Sequence, residues 1–233
     1  CLVGSEMCIR DRTKEEQIQD ILQRGVAEII HEGGLAKKLR SGKKLRIKLG
    51  IDPTSPNIHI GRAVVLWKLR AFQNLGHKVV FIIGDFTGQI GDTSDKDAER
   101  PMLTEKEVKA NLKNYLAQAY KILDKSKTEF HYNSKWLKKL GFAEIGNLAN
   151  LFSLHEFASR ENIKKRMNAG KRVSLRELLY PLMQGYDSIM VKADVEIGGT
   201  DQRFNMLAGR TVQEALGLPA QEVLMVDLIE GTD

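Results

Sequence analysis

The sequence predicts an α/β fold in which a parallel sheet is interrupted by a block of helices. Two strand–helix–strand patterns carry this prediction, one over 45–86 and one over 192–229. Each has continuous apolar runs, typical of strands buried in a parallel sheet, on either side of an amphipathic helix. Between them lies a mostly helical stretch, 104–190. Parallel strands joined by a helix are expected to cross over in the right-handed sense.

The first unit follows a region with helical periodicity. Residues 13–41 place apolar side chains on one helical face, so helix is predicted there. The run "KKLRIKLGID" predicts a buried strand at 45–51, which stops before Asp-Pro. A helix is predicted at 61–75, ended by Gly76, and "HKVVFIIGDF" predicts the second strand.

The later elements are predicted from capping and periodicity. Thr104 and Glu107 have the spacing of a capping box, which begins a long helix. The remaining elements are a short strand at 128–133, helices over 134–190, a strand at 192–197, a helix at 201–216 and a strand at 222–229. The last three of these form the second βαβ unit.

Composition indicates an ordinary globular protein. Of 233 residues, 42% are hydrophobic and 28% charged, and no apolar run is long enough to cross a bilayer. The net charge of +6 is compatible with a polyanionic partner but is too small to demonstrate one. Membrane and disordered classes are therefore excluded, and a nucleic-acid partner is neither required nor excluded.

The first twelve residues are expected to be a non-native leader. Glu6 interrupts any signal-peptide core, so the segment does not read as a targeting sequence. Both cysteines, Cys1 and Cys8, lie within it. The rest of the chain, 13–233, is therefore predicted to have no disulfide and no cysteine-based zinc site, and a cytoplasmic location is expected.

The segment "DPTSPNIHIGR" joins the first predicted strand to the following helix. Ligands of open parallel sheets bind beyond the carboxyl ends of the strands. Gly61 at the start of the helix permits close approach of a ligand, and the free N–H groups there attract phosphate. Thr54, His59 and Arg62 add donors that could stabilise charge developing on phosphate. The alternative is a turn containing an incidental histidine.

Two further segments also lie at the carboxyl ends of predicted strands. "GDFTGQIGDTSDKDAER" leaves the second strand, where Asp92 could bind an ammonium group and Lys96 and Arg100 could contact phosphate. The alternative is a solvated loop. In "EIGGTDQRFN", glycines including Gly199 permit close approach of a ribose or adenine, and Asp201 could accept from ribose hydroxyls.

The segment "LLYPLMQGYDSI" places three polar side chains on one helical face. Tyr180, Gln184 and Asp187 have the spacing i, i+4 and i+7. Polar groups on an otherwise apolar face are costly without partners. A pocket for a small polar aromatic ligand and a hydrogen-bonded network in the core are both compatible with this pattern.

In this order, the four segments strongly resemble the catalytic domain of bacterial tyrosyl-tRNA synthetases, which are class I aminoacyl-tRNA synthetases. The resemblance covers about 14–233. "DPTSPNIHIGR" is similar to the family's "HIGH" region, "GDFTGQIGD" to its second-strand loop, "YPLMQGYDS" to its tyrosine helix and "GGTDQRFN" to its later nucleotide loop. The resemblance implies a Rossmann-like nucleotide-binding sheet with a helical insertion at about 104–190.

The resemblance also implies a role for each candidate residue. At ATP it implies Asp52, Thr54, His59 and Gly61, with Gly199 and Asp201 at the ribose. In catalysis it implies Thr54, His59, Arg62, Lys96 and Arg100, the last two on the pyrophosphate side. At tyrosine it implies Asp92, Tyr180 and Gln184 around the ammonium, Asp187 at the phenolic hydroxyl and Gln202 near the carboxylate.

The implied reaction has two steps. The carboxylate of L-tyrosine attacks the α-phosphate of ATP, which gives tyrosyl-adenylate and pyrophosphate, and the acyl group then passes to tRNA(Tyr). Mg²⁺ would accompany ATP, with no metal site of the protein's own and no permanently bound cofactor. A homodimer through the Rossmann-like domain is implied. Positioning and preorganised charge would supply most of the catalysis.

The sequence departs from the family pattern at three places. Arg62 replaces the second histidine of "HIGH", and Lys48 stands where one subgroup has a tyrosine, so Lys48 receives no role. The chain stops just before the expected "KMSKS" loop and the anticodon-binding domain, so this fragment is expected to bind tyrosine better than it catalyses. Alternatives are a tryptophanyl-tRNA synthetase, a nucleotidyltransferase with a similar motif, and a non-catalytic synthetase-like binding module.

Overall fold

The sheet runs through the centre of the molecule and is mainly parallel. The computed structural model describes residues 12–58, 60–92, 103–112 and 115–227. Within these ranges the strands are β1 Glu28–Ile30, β2 Arg46–Ile51, β3 Lys78–Ile83, β4 Thr128–Tyr132, β5 Val195–Gly199 and β6 Glu222–Val226. Their order is β1-β6-β5-β2-β3-β4, in which only β1 is antiparallel to its neighbour.

Helices pack around the sheet and fill the stretch between β4 and β5. Those described before β4 are α1 Lys14–Gln23, α2 Glu32–Arg40, α3 Ile60–Asn74, α4 Thr87–Ile90, α5 Glu105–Leu112 and α6 Tyr115–Ala119. Those after β4 are α7 Ser134–Leu137, α8 Phe142–Ala149, α9 Leu154–Ala158, α10 Glu161–Asn168, α11 Leu175–Met190 and α12 Arg203–Ala215. Short 3₁₀ turns occupy Lys125–Lys127 and Thr200–Gln202.

Both predicted βαβ units are confirmed. β2 and β3 are parallel neighbours joined by α3. The helix ends shortly before Gly76, and it is Gly76 that has the left-handed backbone conformation. β5 and β6 are parallel neighbours joined by α12. The strands are buried because their side chains on both faces are apolar, as at Val79–Ile83. The capping box of Thr104 and Glu107 is also present.

The single helical region predicted at 13–41 is wrong. α1 ends before Gly25, which has a φ of 61°, and α2 begins after His31, which is also left-handed. Between them, β1 pairs with β6, with Ile29 opposite Leu224. The apolar side chains at 26–30 fit helical spacing, but pairing with a strand far along the chain determines their structure.

The last part of α11 packs closely against α12, and glycine makes this approach possible. A Cβ at Gly185 would lie 3.2 Å from Cγ2 of Val212, and 3.3 Å from both the carbonyl oxygen of Ala208 and Cα of Gly209. Two of these neighbours are backbone atoms, which cannot turn away. The contact places the polar face of α11 beside β5.

Gly185→Ala is expected to lower the free energy of unfolding by about 1–2 kcal/mol, because the new methyl group overpacks this contact. Gly146→Ala in α8 is the matched control, since nothing lies within 4 Å of that position. The control is expected to stabilise by about 0.5–1 kcal/mol through helix propensity. Urea unfolding measures both, and an equal stabilisation by both variants would contradict the close packing.

Candidate active site

A cavity of about 390 Å³ opens at the carboxyl edge of the sheet. Residues that directly follow the strands line it: Asp52 after β2, Gly84 after β3, Asn133 after β4 and Asp227 after β6. Helix α11 contributes a polar face on one side. This is the place where open parallel sheets bind ligands, and the volume suits a small molecule.

The structure brings the described candidate residues together at this cavity. Its lining includes Asp52, Thr54, Gly61, Arg62, Asp92, Tyr180, Gln184, Asp187, Gly199, Asp201 and Gln202. His59, Lys96 and Arg100 lie outside the described residues. Four separate segments of the sequence therefore meet at one site.

Asp187 is held at the bottom of the site by two donors. The indole Nε1 of Trp136 donates to one carboxylate oxygen at 2.7 Å, and Nδ2 of Asn133 donates to the other at 3.2 Å. Burial raises the pKa of Asp187 to about 7, although the charge of Lys48 and both hydrogen bonds act in the opposite direction. Asn133 and Trp136 were not predicted from the sequence as site residues. Applying the strand-end rule to the strand at 128–133 would have found Asn133.

Asp52 lies between two hydroxyl groups. Oη of Tyr180 donates to one carboxylate oxygen at 2.8 Å, and Oγ1 of Thr87 donates to the other at 2.6 Å. Desolvation raises the pKa of Asp52 to about 6, while the two hydroxyl donors lower it. Gly84 makes this arrangement possible, because a Cβ there would lie 1.9 Å from the Asp52 carboxylate. The pair Asp52–Tyr180 links the loop after β2 to α11.

Arg62 joins the loop after β2 to helix α6. Its guanidinium donates to Oη of Tyr115 at 2.6 Å and to Oγ1 of Thr54 at 3.1 Å. Tyr115 is fully buried, so it fixes one end of the guanidinium. The cation that departs from the family motif is thus tied to Thr54 and also lines the cavity.

Gln202 connects the loops that follow β3 and β5. Its Nε2 donates to Asp92 at 2.7 Å and to Asp201 at 2.8 Å, and its Oε1 accepts from Asn205 at 3.1 Å. Two carboxylates and an amide therefore meet at one side of the cavity. An ammonium or a set of ribose hydroxyls would find hydrogen-bond acceptors there.

Lys48 and Glu196 form an ion pair that sequence analysis did not predict. They lie opposite each other on β2 and β5, with Nζ and Oε1 2.8 Å apart, and both side chains are buried. Nζ also donates to the carbonyl of Gln184 and to Oγ of Ser188. The signal in the sequence was one basic and one acidic residue inside two otherwise apolar strands.

Two classes of site are absent from the described part of the chain. No group of three or more histidine, cysteine, aspartate or glutamate side chains there could hold a metal ion. Among the described helices, none combines the length and apolar character that a membrane span requires.

The sequence model of the family described as tRNA synthetases class I (W and Y) matches residues 39–233. The chain belongs to this family. The match covers the whole sheet from β2 onward and the cavity, so the predicted class I synthetase resemblance and its Rossmann-like fold are confirmed.

Curated relatives are identical to this chain at about half of the aligned positions. A tyrosine–tRNA ligase of Dehalococcoides mccartyi (strain 195) is 52% identical over 219 residues, which is 94% of this chain and 55% of the relative. One from Shewanella oneidensis is 50% identical over 218 residues, again 94% and 55%. The chain thus spans about half the length of the curated relatives it matches.

Solved structures show the same synthetase fold. A C-terminally truncated mitochondrial tyrosyl-tRNA synthetase of Coccidioides posadasii has a TM-score of 0.77 at 22% identity, covering 100% of this chain and 75% of that chain. A tyrosyl-tRNA synthetase of Archaeoglobus fulgidus, complexed with L-tyrosine, has a TM-score of 0.75 at 22% identity, covering 95% and 66%.

Proposed function

We propose that this chain is the catalytic part of a tyrosine-tRNA ligase, which activates L-tyrosine with ATP and transfers it to tRNA(Tyr). The observation that carries the proposal is the polar face of α11 inside the cavity. There a buried carboxylate, Asp187, lies on the same helical face as Tyr180 and Gln184. The names and the identities of the curated relatives support the same assignment.

Asp187 is proposed to accept the phenolic hydroxyl of tyrosine. Because Trp136 and Asn133 already donate to it, an ionised carboxylate is the form that can accept a third hydrogen bond. At the other end of the substrate, Asp92, Tyr180 and Gln184 are proposed to surround the ammonium. This orientation leaves the tyrosine carboxylate near Gln202.

The tyrosine carboxylate is proposed to attack the α-phosphate of ATP. A carboxylate oxygen forms a bond to the α-phosphorus while the bond from that phosphorus to the oxygen that bridges to the β-phosphate breaks. Pyrophosphate leaves with the bridging oxygen. Thr54, Arg62 and the start of α3 at Gly61 would stabilise the phosphate charge. His59, Lys96 and Arg100 are proposed for the same purpose, and Asp52 is proposed near the phosphates.

ATP is proposed to bind as its Mg²⁺ complex, in which the cation offsets phosphate charge. Gly199 lies at the end of β5 and allows close approach, so it is proposed at the ribose together with Asp201. The cavity is open beside both residues. No residue of this chain is assigned as a ligand of the cation.

A homodimer and a cytoplasmic location are also proposed. Large apolar side chains on the helices after β4 are exposed: Phe142 is 94%, Leu175 76% and Leu154 69% exposed. Exposed apolar side chains of this size could be covered by a partner protein. A second copy of the chain is the proposed partner, with tRNA(Tyr) bound by the assembled enzyme.

The alternatives that the sequence left open are not favoured. The family includes tryptophan enzymes, but the two curated relatives described above, which each cover 94% of this chain, are named as tyrosine–tRNA ligases. A nucleotidyltransferase would leave the polar face of α11 without a purpose. A binding module without catalysis has no observation in its favour.

Calorimetric titration of the chain with L-tyrosine, L-tryptophan and L-phenylalanine tests this proposal. Saturable binding of tyrosine, about 100-fold tighter than binding of the other two, is expected. Tighter binding of tryptophan, or no binding of tyrosine, would overturn the assignment. ATP–pyrophosphate exchange with a protein that extends this chain to the length of its relatives tests the activation step.

Arg62→Met is expected to weaken ATP binding about 10-fold while changing tyrosine binding by less than twofold. The variant removes a cation at the cavity and two donated hydrogen bonds, and charge-assisted bonds contribute about 1.5–3 kcal/mol. Arg70→Met is the matched control, since Arg70 lies on α3 outside the cavity and donates to the carbonyl of Ile122. Equal losses in the two variants would refute a local role for Arg62.

The preference for tyrosine over phenylalanine is expected to fall below pH 7. Burial raises the pKa of Asp187 to about 7, so its carboxylate is mostly ionised at pH 8 and mostly protonated at pH 6. The fraction able to accept the phenolic hydroxyl changes about 10-fold over this range. Titrations at both pH values give the ratio, and phenylalanine corrects for titration of Asp52. A constant ratio would remove Asp187 from the phenol site.

A further inference from the structure

The buried ion pair Lys48–Glu196 carries a large desolvation free energy. Taking two charges out of water carries a desolvation penalty that the attraction between them offsets only with good geometry and further hydrogen bonds. Here Nζ and Oε1 are 2.8 Å apart, and the side chains are 0% and 2% exposed. An apolar pair could fill such a position with similar stability. Stability therefore does not account for the pair.

The polar network leads from this pair to Gln184, which lines the cavity. Lys48 donates to the backbone carbonyl of Gln184 at 2.8 Å and to Oγ of Ser188 at 2.7 Å. Nε2 of Gln184 donates to Oε1 of Glu196 at 3.0 Å. Nε2 of Gln221 donates to the other oxygen of Glu196. Both ends of Gln184, backbone and side chain, are thus held by the ion pair.

The charges determine which way the Gln184 amide points. An ionised carboxylate only accepts hydrogen bonds, so the nitrogen of Gln184 faces Glu196 and the amide oxygen is left for a ligand. If residue 196 offered a hydrogen-bond donor, as a neutral glutamine side chain does, that donor could bind the amide oxygen. The amide would then turn its NH₂ group to the cavity, where it cannot accept from an ammonium.

We propose that Lys48 and Glu196 are positioning residues that fix the Gln184 amide with its oxygen toward the ammonium of the amino-acid substrate. This inference rests on the proposed function, because it takes tyrosine as the ligand. It gives Lys48 a role distinct from the phenol contact of the tyrosine found in one family subgroup. Glu196 also borders the cavity, but neither residue is proposed to contact the substrate.

The double variant Lys48→Met/Glu196→Gln tests the inference. It removes both charges together, and it lets the Gln184 amide bind residue 196 in either orientation. The ligands are L-tyrosine and 3-(4-hydroxyphenyl)propionate, which has the same phenol and carboxylate but no ammonium. Because both ligands share any effect of losing Lys48 on Asp187, we expect the dissociation constant for tyrosine to rise about 10-fold more than that for the propionate.

The comparison separates positioning from general damage. A change in the shape of the site, or a weaker effect of Lys48 on Asp187, would alter the binding of both ligands alike. Arg166→Met/Glu177→Gln is the matched control, because it neutralises another buried ion pair, outside the cavity lining. Both of its dissociation constants are expected to stay within twofold. Equal losses for the two ligands in the double variant, or no loss for either, would overturn the inference.

The outcomes also distinguish this inference from the proposed function. If the unaltered chain does not bind tyrosine, both fail. If the unaltered chain binds tyrosine but the double variant leaves the ratio of the two dissociation constants unchanged, only the inference fails.

Nitrogen-15 NMR of the unaltered chain provides a second test, which does not require the double variant to fold. The side-chain NH₂ signal of Gln184, assigned by its loss in Gln184→Met, is expected to exchange slowly with solvent in the ligand-free protein. Exchange as fast as that of the exposed Gln23 side chain would show that the amide is not fixed, and would overturn the inference. Tyrosine is expected to shift the signal more than the propionate does.

Discussion

Asp187→Ala is expected to weaken binding of L-tyrosine by about 100-fold or more and to change phenylalanine binding by less than about threefold. The variant removes the proposed acceptor of the phenolic hydroxyl from a buried site, where tyrosine would then lose its hydrogen bond and remain desolvated. Sites that pair a substrate hydroxyl in this way can reject the analogue without it by about 10⁴–10⁵-fold. The variant should therefore lose most of its discrimination.

Calorimetric titration with both amino acids measures this difference. Asp85→Ala is a suitable control, because Asp85 also accepts two hydrogen bonds, from the backbone N–H and hydroxyl of Ser134, but does not line the cavity. It is expected to leave the ratio of the two affinities unchanged. Equal losses of affinity for tyrosine and phenylalanine in Asp187→Ala would show that this carboxylate shapes the pocket but does not bind the phenolic hydroxyl.

The parallel part of the sheet was predictable because its strands are apolar on both faces. The runs at 45–51 and 77–86 are too short and too continuous for surface helices, and a helix with a clear end separates them. β1 was not predictable in this way. Three residues at the edge of the sheet become a strand only through pairing with β6, and that contact is invisible to local periodicity.

The cavity was predicted better than its internal supports. Loops after parallel strands meet at one edge, so Asp52, Asp92 and Gly199 could be grouped before their contacts were known. Trp136 and Lys48 were missed for different physical reasons. Trp136 acts through its indole N–H from a short helix that has no motif, and Lys48 acts through a partner on another strand. The roles of the grouped residues stay predictions.

Lys48→Met alone is expected to lower the free energy of unfolding by about 3–5 kcal/mol. The variant leaves Glu196 buried without its cation, and breaking a buried pair by removing one partner typically has an effect of this size. Oγ of Ser188 and the carbonyl of Gln184 also lose their donor. Urea unfolding measures the change, and Lys44→Met, at an exposed neighbouring position, is expected to stay within about 0.5 kcal/mol.

Adding Glu196→Gln to Lys48→Met is expected to restore most of the lost stability, to within about 1–2 kcal/mol of the unaltered chain, because no unpaired buried charge remains. If the double variant were as unstable as Lys48→Met, the lysine would stabilise the fold mainly through its contacts with α11. A rescued double variant that binds tyrosine poorly would separate the two effects. The ion pair would then be dispensable for folding, and its contribution would lie in the orientation of Gln184.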